Sequence, residues 1–566
     1  MTKTKTKIAI FDLTGCEGCE FHLLSLNELL LDFFQDFEIT NWRLLSEKAR
    51  ADFDIAFIEG AATTKDQINL LKQIRETSKI VVALGACAIS GNIFAQLPRE
   101  KRKEIAKKIY DKNYKLKAEF LEPVEKFIKV DKKIPGCPPS NALFKKTLNE
   151  LRKRRVFSKI KKVTPPDFTA KIEGHGILKI NFREKKAEFN IEESERLVEG
   201  LLLGRTFQQA PIITSRICGI CPIAHNLCSL TVIENALKIK PSEETIILRK
   251  ILLASQIIKS HLLHLFFLVL PDYAGTKSSI ELSKKYPAEF HLMLNIKRIA
   301  DRILVAVGGS SAFPTNTIVG GFNKPPNIDK LLAIKTSIFE VTDEAQDLIK
   351  LFSSLKTPEL KVKTRFATTT PPKNSYPYYP GRFPQKIKEI IRKRSTSKIG
   401  VLSGNKVIKV GALARLSSFS ERLSADAKRA LQESPLDFSN PFQNNLAQSI
   451  EILHFLEKTM DLINELQSKD LEKSKGIKDI KLPKRISEGR ACLEAPRGIL
   501  FHKVKINPQG KITYYNIIPP TQINLASLEK ESQELVKKKG GSPKEIKKEI
   551  EQLIRAFDPC ITCAVH

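Results

Sequence analysis

Two Cys-x-x-Cys pairs are the part of this sequence with the clearest capacity for chemistry. The first occupies residues 216–221 (Arg-Ile-Cys-Gly-Ile-Cys), in the middle of the 566-residue chain, and the second occupies 558–563 (Asp-Pro-Cys-Ile-Thr-Cys), at its extreme end. Folding the two turns together would create a four-thiolate site, which selects a soft metal such as zinc, nickel or an iron–sulfur cluster. Structural zinc is one interpretation, but zinc ribbons usually place their pairs about 15–20 residues apart. The long gap and the flanking Arg and Asp favour a catalytic metal.

Four further cysteines, all in the first 150 residues, form a second candidate site. Three of them come directly after predicted strands, and the fourth lies in a loop that proline and glycine hold open. Because ligands collect beyond the carboxyl ends of parallel strands, these sulfurs are expected to converge on one [4Fe–4S] cluster, which needs four thiolates. A buried core thiol is the alternative for Cys87 or Cys137 alone. The cluster cysteines are Cys16, Cys19, Cys87 and Cys137.

The elements that must hold the cluster cysteines alternate between strand and helix. Strand-like apolar runs cover residues 7–13, 54–58 and 79–84, and a helical pattern covers 20–34. Strand–loop–helix repetition predicts a parallel, flavodoxin-like α/β sheet with right-handed crossovers. A basic, proline-ended stretch at 151–168 then indicates a linker.

The predicted organisation is a small α/β domain (1–150), the linker, and a larger, mainly α-helical α+β domain (169–566). Apolar periodicity is the signal for its elements. Strands are predicted at 171–180, 187–191 and 499–518, and helices at 195–203, 245–270, 290–307, 443–466 and 527–557.

The chain is strongly basic, with a formal net charge of +31. Its lysines and arginines are spread along the whole sequence, aromatic residues are not interleaved with them, and no nucleic-acid motif accompanies them. A solvated basic surface that attracts acidic electron carriers is therefore favoured over nucleic-acid binding.

The sequence also predicts a cytoplasmic protein without a membrane span. The N-terminus lacks a continuous apolar signal region and a twin-Arg motif, and the most apolar run, 262–270, is shorter than the ~20 residues that cross a bilayer. The ten cysteines are then better interpreted as metal ligands or buried thiols than as disulfides.

These motifs resemble those of [NiFe]-hydrogenases. Residues 216–221 with His225, and the terminal 558–566, are similar to the two nickel-binding motifs of the large subunit. Residues 171–175 (Lys-Ile-Glu-Gly-His) look like its opening motif, and 493–498 (Leu-Glu-Ala-Pro-Arg-Gly) look like its arginine loop. The segments around the cluster cysteines resemble the small subunit, so the resemblance implies both subunits fused in one chain.

The resemblance implies a nickel–iron centre, NiFe(CN)₂(CO), held by the two Cys-x-x-Cys pairs. All four sulfurs would bind nickel, and the second cysteine of each pair would bridge to an iron that carries CO and cyanide. Thiolates suit this site because they are soft donors. These metal-site cysteines are Cys218, Cys221, Cys560 and Cys563.

Heterolytic cleavage of H₂ also needs a base. The terminal thiolate of Cys560 and the region of the Arg497 guanidinium are the candidates, although a guanidinium is nearly always protonated. The alternative role for Arg497 is to hydrogen-bond the cyanides and position the gas. Glu173 is the candidate proton relay, since a positioned carboxyl passes protons, and a salt bridge at a subunit seam is its alternative.

Four more residues complete the predicted site. Asp272 and Asp558 lie near the predicted wall, where they would fix Arg497; for Asp272, helix capping or structural pairing is the alternative. Glu199 and His566 resemble ligands of a buried Mg²⁺ or Fe²⁺, together with a main-chain carbonyl around Asn516. An ordinary buried terminus is the alternative for His566.

The implied function is reversible H₂ oxidation and proton reduction, with electrons passing through one cluster to an external carrier. The positive charge favours an acidic ferredoxin-like carrier, and an oligomer is left open. A hydrogen sensor with the same metal site is an alternative. A nickel-free scaffold related to complex I is another, and the complete set of metal-site cysteines counts against it.

The sequence departs from the family pattern in two places. Phe313 stands where large subunits usually carry His before a proline. The only cysteines outside the two sites are Cys228 and Cys492, expected to be core thiols, so one iron–sulfur cluster is the ceiling. Large subunits are commonly made with a tail that is removed after the terminal His, so a sequence that stops at His566 is expected to be either a processed or a naturally tail-less form.

Overall fold

The computed structural model describes residues 5–47, 49–152, 163, 166–372, 375–538 and 541–566. Most of the predicted linker, 151–168, lies outside these described residues, and its two boundaries stay predictions.

A five-stranded parallel sheet organises the N-terminal part, as the alternating pattern predicted. Two inner strands, Ile55–Glu59 and Ile80–Leu84, are buried along their whole length, which is why they are nearly continuous apolar runs. Parallel pairing brings the carboxyl ends of neighbouring strands to one edge, where the cluster cysteines follow. In sheet order the strands are Phe37–Trp42, Thr6–Asp12, Ile55–Glu59, Ile80–Leu84 and Lys132–Ile134.

The helix predicted over 20–34 is two helices, Gly18–Leu24 and Glu28–Asp36. The break falls at Asn27, whose φ of 52° lies in the left-handed region that a helix interior excludes but that Asn tolerates. The other helices of this part are Lys65–Thr77, Gly85–Ser90, Arg99–Ile109 and Asn141–Arg152.

The remainder of the chain is mainly helical around one long central segment, Glu243–Tyr273. By length and composition this segment could cross a membrane, and it is the one such helix in the described part of the chain. However, 94% of its most apolar 18-residue stretch is buried inside the protein. It packs against Pro287–Gly308 and Asn444–Leu466, so its apolar faces form the core. A π-helical turn, His264–Val269, interrupts it. Further helices are Val198–Leu202, Ala210–Thr214, Pro222–Leu237, Ser279–Lys285, Ile328–Glu340, Thr342–Ser354, Ala412–Phe419 and Ala425–Glu433.

The helix predicted over 527–557 is also two helices, Pro520–Lys537 and Pro543–Ala556. The sequence marks where the second helix begins. The Ser542 side chain caps its first turn, Pro543 is its first residue, and the Glu545 side chain bonds back to the Ser542 amide, which completes a capping box. A short final helix, Ile561–Ala564, closes the chain.

An antiparallel three-stranded sheet presents the predicted arginine loop. Ala495 pairs with Gly498 across the first hairpin, so Pro496 and Arg497 are its two loop residues. Gly498 takes a φ of 122°, which L side chains rarely adopt. The strands are Ser487–Ala495, Gly498–Ile506 and Ile512–Ile518, and shorter pairs are Gly176–Asn181 with Lys186–Ile191, Thr317–Ile318 with Gly321–Phe322, and Ile387–Ile390 with Ile399–Leu402.

Candidate metal centre

The structure brings the four metal-site cysteines together in a buried cluster. Their sulfurs all lie within 4.8 Å of one another. The Cys218 and Cys560 sulfurs are 3.1 Å apart, as are those of Cys221 and Cys563. All four are free thiols rather than disulfides. Residues from the middle and the end of the chain therefore form one site.

Local structure aims each pair inward. Cys221 immediately precedes the helix Pro222–Leu237, and the main-chain amides of Ile220 and Cys221 donate to the Cys218 sulfur over 3.3 and 3.4 Å. Cys560 precedes the helix Ile561–Ala564 in the same way. Pro222 is the first residue of the first of these helices, a position where its missing amide is tolerated and its fixed φ suits the helix.

The electrostatics of this group fit a soft metal cation. Burial raises the pKa of Cys560 and of Cys563 well above the ordinary thiol value, because it disfavours the charged thiolate, and hydrogen bonds with Cys218 and Cys221 raise it further. For Cys218 burial acts in the same direction, but hydrogen bonds from the neighbouring thiols lower its pKa overall. A bound cation would offset the charge of all four sulfurs, and a coordinating thiol is deprotonated outright.

Arg497 lies over this site and is held by Asp558. Its Nε donates to the Asp558 carbonyl and its Nη2 to the Asp558 Oδ1, both over 2.6 Å, while Nη1 is 3.4 Å from the Ser260 hydroxyl. Although burial alone would lower it, the Asp558 carboxylate and the thiols raise the pKa of Arg497 above its ordinary value. The guanidinium therefore stays charged, and the interpretation in which it accepts the proton is not supported.

Asp272 does not hold Arg497, which corrects the prediction for this residue. Its carboxylate pairs with the Lys171 ammonium and with the Arg555 guanidinium, the latter over 2.5 Å. All three side chains are almost fully buried. Asp272 is therefore part of a structural ion-pair group beside the site.

Glu173 lies against the terminal motif, and its side chain is fully buried. The Thr562 amide donates to its Oε2 over 3.0 Å and the Thr562 hydroxyl to its Oε1, while the Ile561 amide donates to its carbonyl over 3.2 Å. Burial, and then the Cys218 thiolate, raise the pKa of Glu173 to about 8. A carboxyl with a pKa near neutrality, next to thiolates, is suited to accept and release protons.

Glu199 and His566 meet near the C-terminus. The His566 Nε2 is 3.4 Å from the Glu199 Oε1, and the His566 Nδ1 bonds the Cys563 carbonyl over 2.7 Å. That second bond orients the ring with Nε2 towards the carboxylate. The Asn516 side chain also donates to Glu199, over 3.2 Å. Carboxylate oxygen plus imidazole nitrogen could hold a hard divalent ion here.

The cluster cysteines lie at one edge of the sheet, linked by short contacts. The Asn92 side-chain nitrogen is 3.6 Å from the Cys87 sulfur and 3.3 Å from the Cys137 sulfur. A Cβ on Gly85 would lie 2.3 Å from the Cys19 sulfur, so the chain passes the cysteine there as closely as glycine allows.

The same cysteines share an electrostatic environment. Burial raises the pKa of Cys16 well above its ordinary value, and Cys87, Glu59 and Cys137 raise it further. Each of those groups is therefore close enough to interact with Cys16. Four cysteine sulfurs at one edge of the sheet match the number of thiolates that a [4Fe–4S] cluster needs.

The two sites are in direct main-chain contact. Gly219, between the two cysteines of residues 216–221, donates its amide to the Cys16 carbonyl over 2.8 Å. Phe313 covers the same contact: it is buried, a Cβ on Gly18 would lie 3.2 Å from its ring, and the Arg216 guanidinium is 4.9 Å from the ring centre. The aromatic ring that departs from the family pattern thus fills the gap between the sites.

Sequence reasoning noted His225 but missed its partner, His502. The His225 Nε2 is 3.4 Å from the Cys563 sulfur, its Nδ1 is 3.3 Å from the His502 Nε2, and the His502 Nδ1 is 2.9 Å from the Tyr515 hydroxyl. Burial lowers the pKa of His225 to about 3, so the ring is neutral. The available signal was the position of His502, five residues after Arg497 on the next strand.

Cys228 and Cys492 are core thiols, apart from both sites. The Cys228 sulfur reaches only main-chain carbonyls among the described residues, at 3.8 Å, and the Cys492 sulfur is 3.3 Å from the Gly381 carbonyl. Burial raises the pKa of Cys492 to about 12.

Two family profiles match the chain. The profile described as NADH ubiquinone oxidoreductase, 20 Kd subunit, matches residues 16–151, and the profile described as nickel-dependent hydrogenase matches 196–291 and 405–566. The first range contains all the cluster cysteines, and the other two contain all the metal-site cysteines.

Individual proteins agree with these profiles. Sulfhydrogenase 1 subunit alpha of Pyrococcus furiosus is 32% identical over 420 residues, which are 71% of this chain and 97% of that protein. NAD-reducing hydrogenase HoxS subunit beta of Cupriavidus necator is 24% identical, over 71% of this chain and 94% of that protein. An NAD⁺-reducing [NiFe]-hydrogenase solved in the H₂-reduced state shares the fold, with a TM-score of 0.64, 23% identity, and coverage of 71% of this chain and 98% of that chain.

Proposed function

Given that the chain belongs to the nickel-dependent hydrogenase family, we propose that it interconverts H₂ with protons and electrons at the metal-site cysteines and passes the electrons through a single [4Fe–4S] cluster. The family sets the reaction class, an oxidoreductase acting on H₂. The observation that carries the proposal is the convergence of four buried sulfurs within 4.8 Å. The main-chain contact between Gly219 and Cys16 supports the electron route.

The proposed cofactor is a NiFe(CN)₂(CO) centre. Nickel would be held by all four metal-site cysteines, with Cys221 and Cys563 shared with the iron. When bound, this centre supplies the heterolytic cleavage of H₂. The chain contributes a dry site, since all four sulfurs are buried, and soft donors that match nickel.

The proton would leave through Cys560 and Glu173. Cys560 is the candidate base because its thiolate belongs to the turn that Glu173 contacts, so a proton taken up there has a carboxyl nearby to receive it. The Glu173 main chain lies beside Cys560, and the Glu173 carboxyl bonds Thr562 in the same turn. A carboxyl whose pKa is about 8 accepts that proton and releases it at the pH of a cell.

Arg497 and Asp558 would position the iron's ligands and the gas. The two hydrogen bonds that Arg497 donates to Asp558 fix the plane of the guanidinium. A fixed guanidinium is a rigid fork of donors, which suits cyanide nitrogens. Arg497 therefore acts by orientation and by positive charge.

Electrons would leave from the cluster to an external carrier. Cys19 and Cys137 are the partly exposed members of the cluster cysteines, and they mark the exit side. The net charge of +31 favours an acidic ferredoxin-like protein, because electrostatic steering raises encounter rates.

We also propose that the reaction takes place in the cytoplasm. A Mg²⁺ or Fe²⁺ held by Glu199 and His566 completes the proposal.

Metal analysis with infrared spectroscopy tests the proposal. The protein is expressed anaerobically in a host that matures such centres, and nickel, CO and cyanide bands and H₂ uptake with an artificial dye are measured. Nickel, infrared bands and turnover together are expected. The absence of nickel would refute the proposal. A protein that contains nickel but turns over very slowly would instead indicate a hydrogen sensor.

A further inference from the structure

We propose that the Asn92 side chain raises the reduction potential of the [4Fe–4S] cluster by donating hydrogen bonds to two of its cysteine sulfurs. The inference rests on the proposed function, because it requires that cluster. It adds a residue outside the Cys-x-x-Cys motifs to the machinery of electron transfer.

The orientation of the Asn92 amide is fixed by its own neighbour. Its Oδ1 accepts a hydrogen bond from the Ile93 amide over 2.8 Å. The Nδ2 therefore points the other way, 3.3 Å from the Cys137 sulfur and 3.6 Å from the Cys87 sulfur. With the oxygen occupied by a main-chain donor, the nitrogen must face the sulfurs, which removes the usual ambiguity of an amide.

The backbone also holds Asn92 in place. Its φ is 54°, directly after Gly91 at 72°, where the helix Gly85–Ser90 ends and the turn Asn92–Gln96 begins. Asn is among the few residues that adopt this conformation without large strain. The turn is thus built to place an amide between Cys87, at the start of the helix, and Cys137, in the proline-rich loop.

Hydrogen bonds to cluster sulfurs are one of the factors that set an iron–sulfur potential. Reduction adds negative charge to the cluster and its thiolates, and a donor stabilises the more negative state more than the less negative one. Among the hydrogen bonds of the described residues, Asn92 is the side chain that donates to any of the four cluster cysteines, and it donates to two of them, Cys87 and Cys137.

Redox titration of the cluster, followed by electron paramagnetic resonance, tests the inference. Asn92→Gly removes the donor and tolerates the positive φ, and Asn92→Asp keeps the shape but replaces the donor by a carboxylate. We expect the midpoint potential to fall in the order wild type, Asn92→Gly, Asn92→Asp. For Asn92→Asp, we expect the ratio of reduced to oxidised cluster at fixed potential to fall roughly tenfold, which is 59 mV for one electron.

Asn27→Gly is the matched control, because Asn27 also has a positive φ, of 52°, and bonds none of the cysteine sulfurs among the described residues. Its midpoint potential should equal that of the wild type. A wild-type protein that assembles no cluster contradicts the proposed function itself. A cluster that assembles in Asn92→Asp with an unchanged or raised midpoint overturns the inference about Asn92.

Discussion

Gly219 and Gly18 pack so closely that a Cβ on Gly219 would lie 2.1 Å from the Gly18 Cα. Gly219 belongs to the metal-site motif and Gly18 to the cluster motif, so this contact joins the two sites. The Gly219 amide also bonds the Cys16 carbonyl over 2.8 Å. Any side chain at Gly219 must push the two loops apart.

We therefore expect Gly219→Ala to slow electron transfer between the sites while the metal-site cysteines remain. Reduction of the cluster by H₂, followed by electron paramagnetic resonance after rapid freezing, should be roughly tenfold slower or more, since small misplacements cost large factors in rate. Gly541→Ala is the control, because a Cβ there would lie no closer than 3.1 Å to any neighbour, the Ile546 Cγ1, and meets no backbone. Equal rates in both variants would show that the contact is unimportant.

Replacing Cys560 should remove the nickel. The Cys560 sulfur lies 3.1 Å from the Cys218 sulfur and 2.8 Å from the Cys563 sulfur, so Cys560→Ala leaves three thiolates for a metal that needs four. We expect loss of nickel and of H₂-dependent dye reduction. Cys492→Ser, at a core thiol, should keep both, and nickel retained in Cys560→Ala would refute the assignment.

Glu173→Gln should separate proton transfer from metal binding. The amide keeps the shape and a hydrogen bond to Thr562 but cannot carry the proton, so turnover should fall by about 100-fold. Nickel content and infrared bands should match the wild type, because only the four metal-site cysteines, and not Glu173, are proposed to bind the metal. Glu173→Asp, which keeps a carboxyl, should restore part of the activity. Wild-type turnover in Glu173→Gln would place the proton route elsewhere.

The seam between the two parts of the chain should weaken with rising pH. His175 lies between Asp12 and Glu193, at 2.9 and 2.5 Å, and although burial acts against it, these carboxylates raise the pKa of His175 to about 9. A raised folded-state pKa stabilises the protein fully below the ordinary value of about 6.5. That contribution is lost as pH rises through about 9.

Urea unfolding of the wild type and His175→Gln at several pH values measures this effect. The stability advantage of the wild type should be largest below pH 6.5 and should shrink towards about pH 9. His291→Gln, at an exposed histidine, is the control and should change little. A wild-type advantage that is independent of pH would show that His175 is not charged in the folded protein.

Local sequence patterns predicted much of the architecture. Apolar runs that end in glycine and cysteine predicted the parallel sheet and the edge at which Cys16, Cys19 and Cys87 lie. Helix breaks were harder to predict, because Asn27 and the Ser542 capping box interrupt an otherwise continuous apolar period. The first break depends on one backbone angle and the second on a capping box, and apolar periodicity is insensitive to both.

Motifs and spacing were enough to predict the candidate site residues: eight cysteines in motifs of defined spacing, a glutamate and an arginine in recognisable segments, and too few cysteines for a second iron–sulfur cluster. Their partners became visible only in the folded chain. Asp558 rather than Asp272 holds Arg497, His502 backs His225, and Asn92 faces two cluster sulfurs. The physical reason is that partner choice depends on hairpin register, side-chain direction and packing across distant segments, and spacing along the chain encodes none of these.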